Sequence, residues 1–366
     1  MRFTTITALG LFPTLLLACG TSHDLIELRY SDAEQLRFVG GFEDLPNGIE
    51  LAKGQWEFWY SNGKRQALGS YEDGSLPNPT DLNLSSTDIP RVGRTGAWEF
   101  WRESGVLRSE GEYFDGHKHG HWQTYWSDGT LQSEGDFQEG EAVGTHRSWY
   151  LSSLRESEVN YQDGLKHGVA REWSREGALI QRGSYFADQR VASHTVWDQL
   201  GNMREQAEYV DGYLNGIRSL WDEAGCLAWS ANYRGGVQHG AFRLYYPSGG
   251  IRQQGDYLGG EQNGMLSSYD ESGACQWEFE FVAGDQAGGR THWFAGGQKR
   301  SEGHYRDGVP FGEHQEWYPS GQLKSVGHYA DGRPVGNWHA WNRDGTLDLQ
   351  LSGNFSRGSS EDSSGH

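Results

Sequence analysis

The chain has 366 residues, with 53 glycines, 9 prolines, 16 Trp, 18 Tyr and 15 Phe. That much aromatic surface excludes a disordered chain, and the low proline content excludes collagen. A formal net charge of −19 argues against nucleic acid and anionic lipid headgroups as partners.

Residues 1–20 read MRFTTITALGLFPTLLLACG, with Arg2 the only charge. The apolar run is too short for a spanning helix and fits a signal peptide over 1–18. Leu16-Leu17-Ala18-Cys19 resembles a bacterial lipobox, which implies a lipid on Cys19 and a mature chain that starts there. The alternative is an ordinary secretory signal in which Cys19 is incidental. Gly20 is not the aspartate that retains enteric lipoproteins in the inner membrane. The expected location is the cell envelope, facing out of the cytoplasm, at the outer membrane in a Gram-negative cell. No other stretch could span a bilayer, so membrane contact is expected through the lipid alone.

Residues 19–53 hold this anchored start and a worn copy of the unit that follows. LRYSDAEQLRFVGGFEDLPNG aligns with FWYSNGKRQALGSYEDG, placing Tyr30 on Tyr60, Phe42 on Tyr71 and Asp44 on Asp73. A degenerate copy at the end of an array is expected to cap it.

From Gly54 to about residue 355 the chain is a repeat. From Gly96 the leading position recurs every 24 residues, at 120, 144, 168 and onward to 336, with Ala192 the one substitution. Counting that leading residue as position 0, position 5 is aromatic in all twelve copies. They are Trp59, Trp101, Tyr125, Trp149, Trp173, Trp197, Trp221, Tyr245, Tyr269, Trp293, Trp317 and Trp341. Position 17 is Tyr or Phe from Tyr71 to Tyr329, position 11 is mostly aliphatic and position 9 is glycine in eleven copies.

Glycines every ten residues and clustered aromatics reject a helix and favour strands. Triplets such as Ser61-Asn62-Gly63 and Pro247-Ser248-Gly249 predict a three-residue hairpin loop whose glycine is left-handed. Position 5 then pairs with position 11. By the period of two, positions 11, 13, 15 and 17 share a face, so the aromatic, the aliphatic and the tyrosine are expected to form one apolar face. A small residue at position 15 leaves room for a neighbouring ring to lie flat. Positions 12 and 14, with Arg108, Arg204, Glu110 and Glu158, are expected on the opposite, solvated face. Asp-Gly at positions 19 and 20 marks a second turn, with links short enough only for antiparallel neighbours. The predicted fold is all-β: an elongated, twisted single antiparallel sheet of consecutive hairpins, with about 24 strands.

The pattern GxWxxWxxxGxLxxxGxYxDGxxxG over residues 54–355 resembles the bacterial MORN-repeat variant, including the YwqK-like proteins labelled as antitoxins. That resemblance implies a β-hairpin repeat with a scaffolding, membrane-attaching or immunity role. A lipobox departs from a cytoplasmic antitoxin.

The candidate sites lie where the unit fails. Residues 75–93 interrupt the register, and Pro77, Pro79 and Pro90 exclude a central strand there. Trp229 and Trp277 occupy position 13, where small or polar residues are usual. They read either as gap fillers in the apolar face, which is preferred, or as a binding platform. His117, His119 and His121 alternate in a stretch read as a polar loop. Cys226 and Cys275 are two repeats apart, roughly 19 Å at normal strand spacing, and read as packing residues outside disulfide reach. No metal-ligand spacing, cofactor motif or catalytic signature is present, and the tail 356–366 reads as disordered. The expected function is a non-enzymatic envelope lipoprotein that binds or scaffolds protein. The alternatives are carbohydrate or peptidoglycan binding by position-6 aromatics such as Tyr60, Trp126, Tyr150, Tyr246, Phe294 and Tyr318, or immunity to a toxin.

Overall fold

The structure is a computed structural model, and it describes residues 24–29, 35–44, 50–75 and 89–355. The signal peptide, Cys19, residues 76–88 of the insertion and the tail from 356 lie outside the described residues. The chain divides into two compact units, Met1–Gln189 and Arg190–His366. The described residues contain strands and turns and no helix. Within each unit the described strands pair antiparallel with their chain neighbours, as the all-β reading expects; the one break is the two-residue strand Glu261–Gln262, which shares the strand Ile251–Leu258 with Gly264–Tyr269.

One repeat is two strands and two turns. His117–Tyr125 and Leu131–Gln138 form one such hairpin. Its loop is the expected three-residue turn: Trp126 N donates to Thr130 O, and Gly129 N to Trp126 O. Gly129 has φ +89°, the left-handed region that glycine enters without a Cβ penalty. Position 5 pairs with position 11, as in Tyr125↔Leu131. The second turn is tighter than expected. Phe114 pairs with His117 across Asp115 and Gly116, which have φ +46° and +74°, so the link is a two-residue turn of the primed type. Strands entering most repeats therefore begin three residues before the leading position, as at His117 and Glu141.

Ser153 stands at position 9 with φ +63°, where the other copies have glycine. A side chain there costs roughly 1–2 kcal/mol. Ser153→Gly should therefore stabilise the protein by about 1 kcal/mol, read as a higher urea midpoint. An unchanged or lower midpoint would contradict the turn assignment.

The face assignment needs correction. The register slips by one residue beside position 5 in each hairpin, as between Phe100 and Trp101. The extra residue is position 12, and this bulge breaks the period of two. Position 11 therefore lies with position 5 on one face, while positions 13, 15 and 17 lie on the other. The companions of 13, 15 and 17 are positions 2 and 4: Trp98 pairs with Gly111, and Phe100 with Ser109. Position 12 also points to this second face, where Arg108 lies 5.7 Å from the Phe100 ring.

The first face carries ion pairs among the half-buried position-5 rings. Glu158 accepts from Arg155 at 2.8 Å and Arg171 at 2.7 Å, and Arg147 lies at 3.3 Å. Arg155 also covers Trp149 and Trp173. A mixed-sign ladder runs here, built from positions 3, 11 and 14; of the two positions expected on the solvated face, 14 takes part and 12 does not.

The second face holds the buried core. In the first unit Trp56, Tyr71 and Trp98 are fully buried, with Phe38, Phe58, Phe100 and Trp122 around them. Position-2 and position-17 rings alternate edge to face: Tyr71 meets Trp98 at 5.1 Å, and Tyr113 meets Trp122 at 5.0 Å. Edge-to-face contacts of this kind add about 0.5–1.5 kcal/mol beyond burial.

A second bulge explains the small residue at position 15. Between Glu110↔Gln123 and Glu112↔His119 the register slips by two, leaving Gly111 opposite Gly120–Trp122. The Trp122 indole folds down onto Gly111, where a Cβ would lie 2.3 Å from the ring. The same clash would occur at Gly69 under Trp98 and Gly327 under Trp338, each at 2.0 Å. The ring for which room is left is thus position 2 of the next repeat, not position 5. The indole N–H also replaces a lost ladder bond, since Trp122 Nε1 donates to Glu112 O at 2.8 Å and Trp98 Nε1 to Ser70 O at 3.1 Å. His146 and His314 make the same contact, to Asp136 O and His304 O.

In some copies position 15 is larger and position 2 is no aromatic ring, as where Val159 faces Ala170 and Ala207 faces Arg218, while Ala231 still faces Phe242. The bulge is then filled from position 16. Asn160 Nδ2 donates to Val169 O, and Asn232 Nδ2 to Ala241 O.

At the N-terminal end Asp24–Arg29 pairs with Leu36–Asp44, and the latter with Glu50–Trp59. Gly40 lies under Trp56 as Gly69 lies under Trp98. At the C-terminal end Gly353–Phe355 folds back along Gly336–Trp338, covering part of an edge that would otherwise be open.

Candidate binding groove

The hollows of each unit lie over the second face, because the large rings that cover the glycines thin out beyond position 2. In the first unit a groove of about 820 Å³ opens over Phe100, Trp122 and Thr124. One wall is the end of the insertion, residues 89–92, and three hydrogen bonds hold it. Tyr71 Oη donates to Pro90 O at 2.6 Å, Arg94 Nε to Pro90 O at 2.7 Å and Arg94 Nη2 to Ile89 O at 2.7 Å. Arg94 is buried, lies 4.7 Å from the Trp98 ring and reaches the Tyr113 hydroxyl. Burial pushes the Tyr71 phenol well above its ordinary pKa, against the opposing pull of the Arg94 charge.

The groove is basic in an acidic protein. Arg91, Arg94, Arg108, His117 and Lys118 line it, and no carboxylate does among the described residues. Arg94 and Lys118 hold the same repeat position, 24 apart, each over the following position-17 ring. Lys118 Nζ sits 4.3 Å from the Trp122 ring and 4.8 Å from Phe137, and burial lowers its pKa. Neither Lys118 nor Arg108 forms an ion pair among the described residues. The hollow of the second unit around Arg290 and Arg300 differs. There one carboxylate, Glu316, lies among Arg290, Arg300, Lys324 and Arg343 and pairs with Lys324 at 2.6 Å.

The sequence-predicted residues distribute as follows. Position-5 tryptophans, from Trp59 and Trp101 to Trp317 and Trp341, are half-buried on the ion-pair face, not in the core. Trp229 and Trp277 lie on the core face and pack against one cluster, Ala231, Phe242 and Leu266, with Trp277 stacked on Phe279 at 4.5 Å. That packing fits gap filling. Cys226 and Cys275 are free thiols, both half-buried. His117, His119 and His121 lie in a strand rather than a loop. Their rings go separate ways: His117 to Asp115 O, His119 against Phe114, His121 to Asp136. No group of metal-binding side chains occurs among the described residues.

The position-6 aromatics form no free platform. Tyr60 Oη donates to Trp101 O at 2.8 Å, Trp126 Nε1 to Trp149 O at 3.0 Å and Tyr150 Oη to Trp173 O at 2.8 Å. Tyr246 and Tyr318 do the same to Tyr269 O and Trp341 O. Each ties its loop to the next repeat.

No curated protein matches the chain. Among solved structures it is similar to TcdB2-TccC3 in complex with Cdc42, at 10% identity and a TM-score of 0.17, covering 86% of this chain and 20% of that one. A Photorhabdus luminescens Tc holotoxin pore is similar at 11% identity and a TM-score of 0.17, with coverage of 87% and 18%. The chain spans about a fifth of the length of these structures, and a likeness of that order says nothing of its fold or role. Five segments, residues 53–73, 94–115, 118–139, 238–258 and 312–331, match the family described as MORN repeat variant.

Proposed function

We propose that the repeat array is a non-enzymatic surface for binding or scaffolding protein, held at the bacterial cell envelope by a lipid on Cys19. The observation that carries the binding reading is the groove between Arg94 and Gly140, where aromatic floor and unpaired cations meet in one recess. Protein interfaces favour aromatic and arginine-rich recesses of this kind. The carbohydrate reading needs a row of free aromatics. Five of the six position-6 rings that suggested it, all but Phe294, spend their donors on the neighbouring repeat, which favours protein over sugar.

The test is cross-linking of the tagged full chain in its native cells, followed by identification of bound proteins, beside a glycan array. Reproducible protein partners and an empty array are expected. Glycan binding with no protein partner would overturn the reading. For the anchor, Cys19→Ala should move the protein from the membrane to the soluble fraction and abolish palmitate labelling. A wild-type protein that takes up no palmitate would remove the lipid from the proposal.

A further inference from the structure

The groove in the first unit has a charge pattern that the fold does not require. The chain carries 50 carboxylates, and none of them lines this recess among the described residues. Elsewhere in the first unit, on the ion-pair face, cations are neutralised: Arg147, Arg155 and Arg171 converge on Glu158, and Arg65 reaches Glu57 at 3.1 Å. Arg108 and Lys118 lie over aromatic rings and form no ion pair among the described residues. A half-buried ammonium over an indole gains part of its lost hydration from the ring, but an anion at hydrogen-bond distance would do more. Arg91 and Arg108 are exposed, and Lys118 is half-buried at the floor.

We infer that this groove takes an acidic, aromatic-bearing segment of a polypeptide partner, its carboxylates meeting Arg91, Arg108 and Lys118 and its apolar side chains meeting Phe100 and Trp122. The inference rests on the protein-binding reading above and names the chemistry of the partner. A polypeptide supplies both parts, since alternate side chains of an extended segment can present carboxylate and ring to the same recess. A flat anionic bilayer would reach Arg91 and Arg108 but not Lys118, which lies below the rim beside Trp122. The net charge of −19 disfavours such a segment over most of the surface, and the recess offers it cations instead.

The probe is a fluorescein-labelled peptide of about twelve residues alternating Glu and Phe, long enough to cross several strands. Its Gln/Phe counterpart and phosphatidylglycerol vesicles are the comparison arms. Anisotropy with the full-length protein should show the Glu peptide binding about tenfold tighter than the Gln peptide, weakening between about 50 and about 300 mM salt. Arg108→Gln with Lys118→Gln should remove about tenfold of that affinity, while Arg108→Lys with Lys118→Arg should keep most of it. Arg175→Gln, outside the groove, should change nothing. Equal binding of the two peptides, wild-type affinity in the glutamine double variant, or vesicle binding without peptide binding would each overturn the inference. Thermal melting of the double variant guards against misfolding, and the charge-preserving variant keeps the test decisive if it melts early. Partners captured from cells that the glutamine double variant still retains would leave the scaffold reading standing and take the groove out of it.

Discussion

Trp98→Ala should destabilise the first unit by about 3–5 kcal/mol, the usual cost of deleting a fully buried large ring. Trp98 is 0% exposed and packs between Tyr71 and Tyr113. It also satisfies the Ser70 carbonyl that the bulge frees from the ladder, so its loss leaves an orphan acceptor as well as a cavity. Domains are stable by only about 5–15 kcal/mol, so most of the unit's margin would go. The comparison that gives the result meaning is Trp101→Ala. Trp101 belongs to the more regular series, aromatic in every copy, yet it is half-buried on the ion-pair face with Arg65 over it at 5.3 Å. Its loss should cost roughly 1–2 kcal/mol, in line with partial burial and a solvated cation–π contact. Equal costs for the two, in urea unfolding followed by tryptophan fluorescence and circular dichroism, would mean the core face is misassigned.

Gly111→Val should cost about 3 kcal/mol, the upper end of ordinary overpacking. A Cβ at 111 would meet the Trp122 ring at 2.3 Å. The ring cannot simply swing away, because its N–H is held by Glu112 O and Lys118 lies against its other surroundings. Backbone strain is not the cause, as Gly111 is not among the residues of positive φ. The same substitution occurs naturally in the chain at Val159, and there the facing residue is Ala170. That internal pair says the constraint is one of shared volume.

Much of the fold was legible in sequence because its turns are local chemistry. A left-handed glycine after a polar pair and an Asp-Gly step each specify a turn without reference to the rest of the chain, and both turns stand where they were placed. The pairing of positions 5 and 11 followed from the loop length. What was not legible is the bulge at position 12. Its occupants, such as Arg108, Gln132 and Glu156, share no property that announces an extra residue, yet that one residue sends the most regular aromatics to the opposite face from the core. Position 2 was visible as part of the motif, but its ring covers the preceding glycine only because a second, wider bulge turns it there. His117, His119 and His121 looked like loop residues for a related reason: the strand starts before the leading glycine, not at it.

The groove was less legible still. Its cations could have been found from register, since Arg94 and Lys118 repeat at a 24-residue step, with Lys166 and Arg190 at later steps. Those cations sit on position-17 rings as part of the repeat, so register alone would not have distinguished the first two. The difference is the insertion, whose end at Ile89 and Pro90 walls the recess, and the absence of carboxylates from its lining among the described residues. Neither can be seen without the register of three neighbouring strands.

Neighbouring repeats are locked together by volume exchange between position 15 and the following position 2, as at Gly69–Trp98, Gly111–Trp122 and Gly327–Trp338. The most direct measurement is a double-mutant cycle on Gly111→Val and Trp122→Ala by urea unfolding. The double variant recreates the Val159–Ala170 pair, so it should cost at least about 1 kcal/mol less than the sum of the two single changes. Additive costs, within about 0.5 kcal/mol, would contradict the account, because they would mean that the glycine and the indole contribute to stability independently.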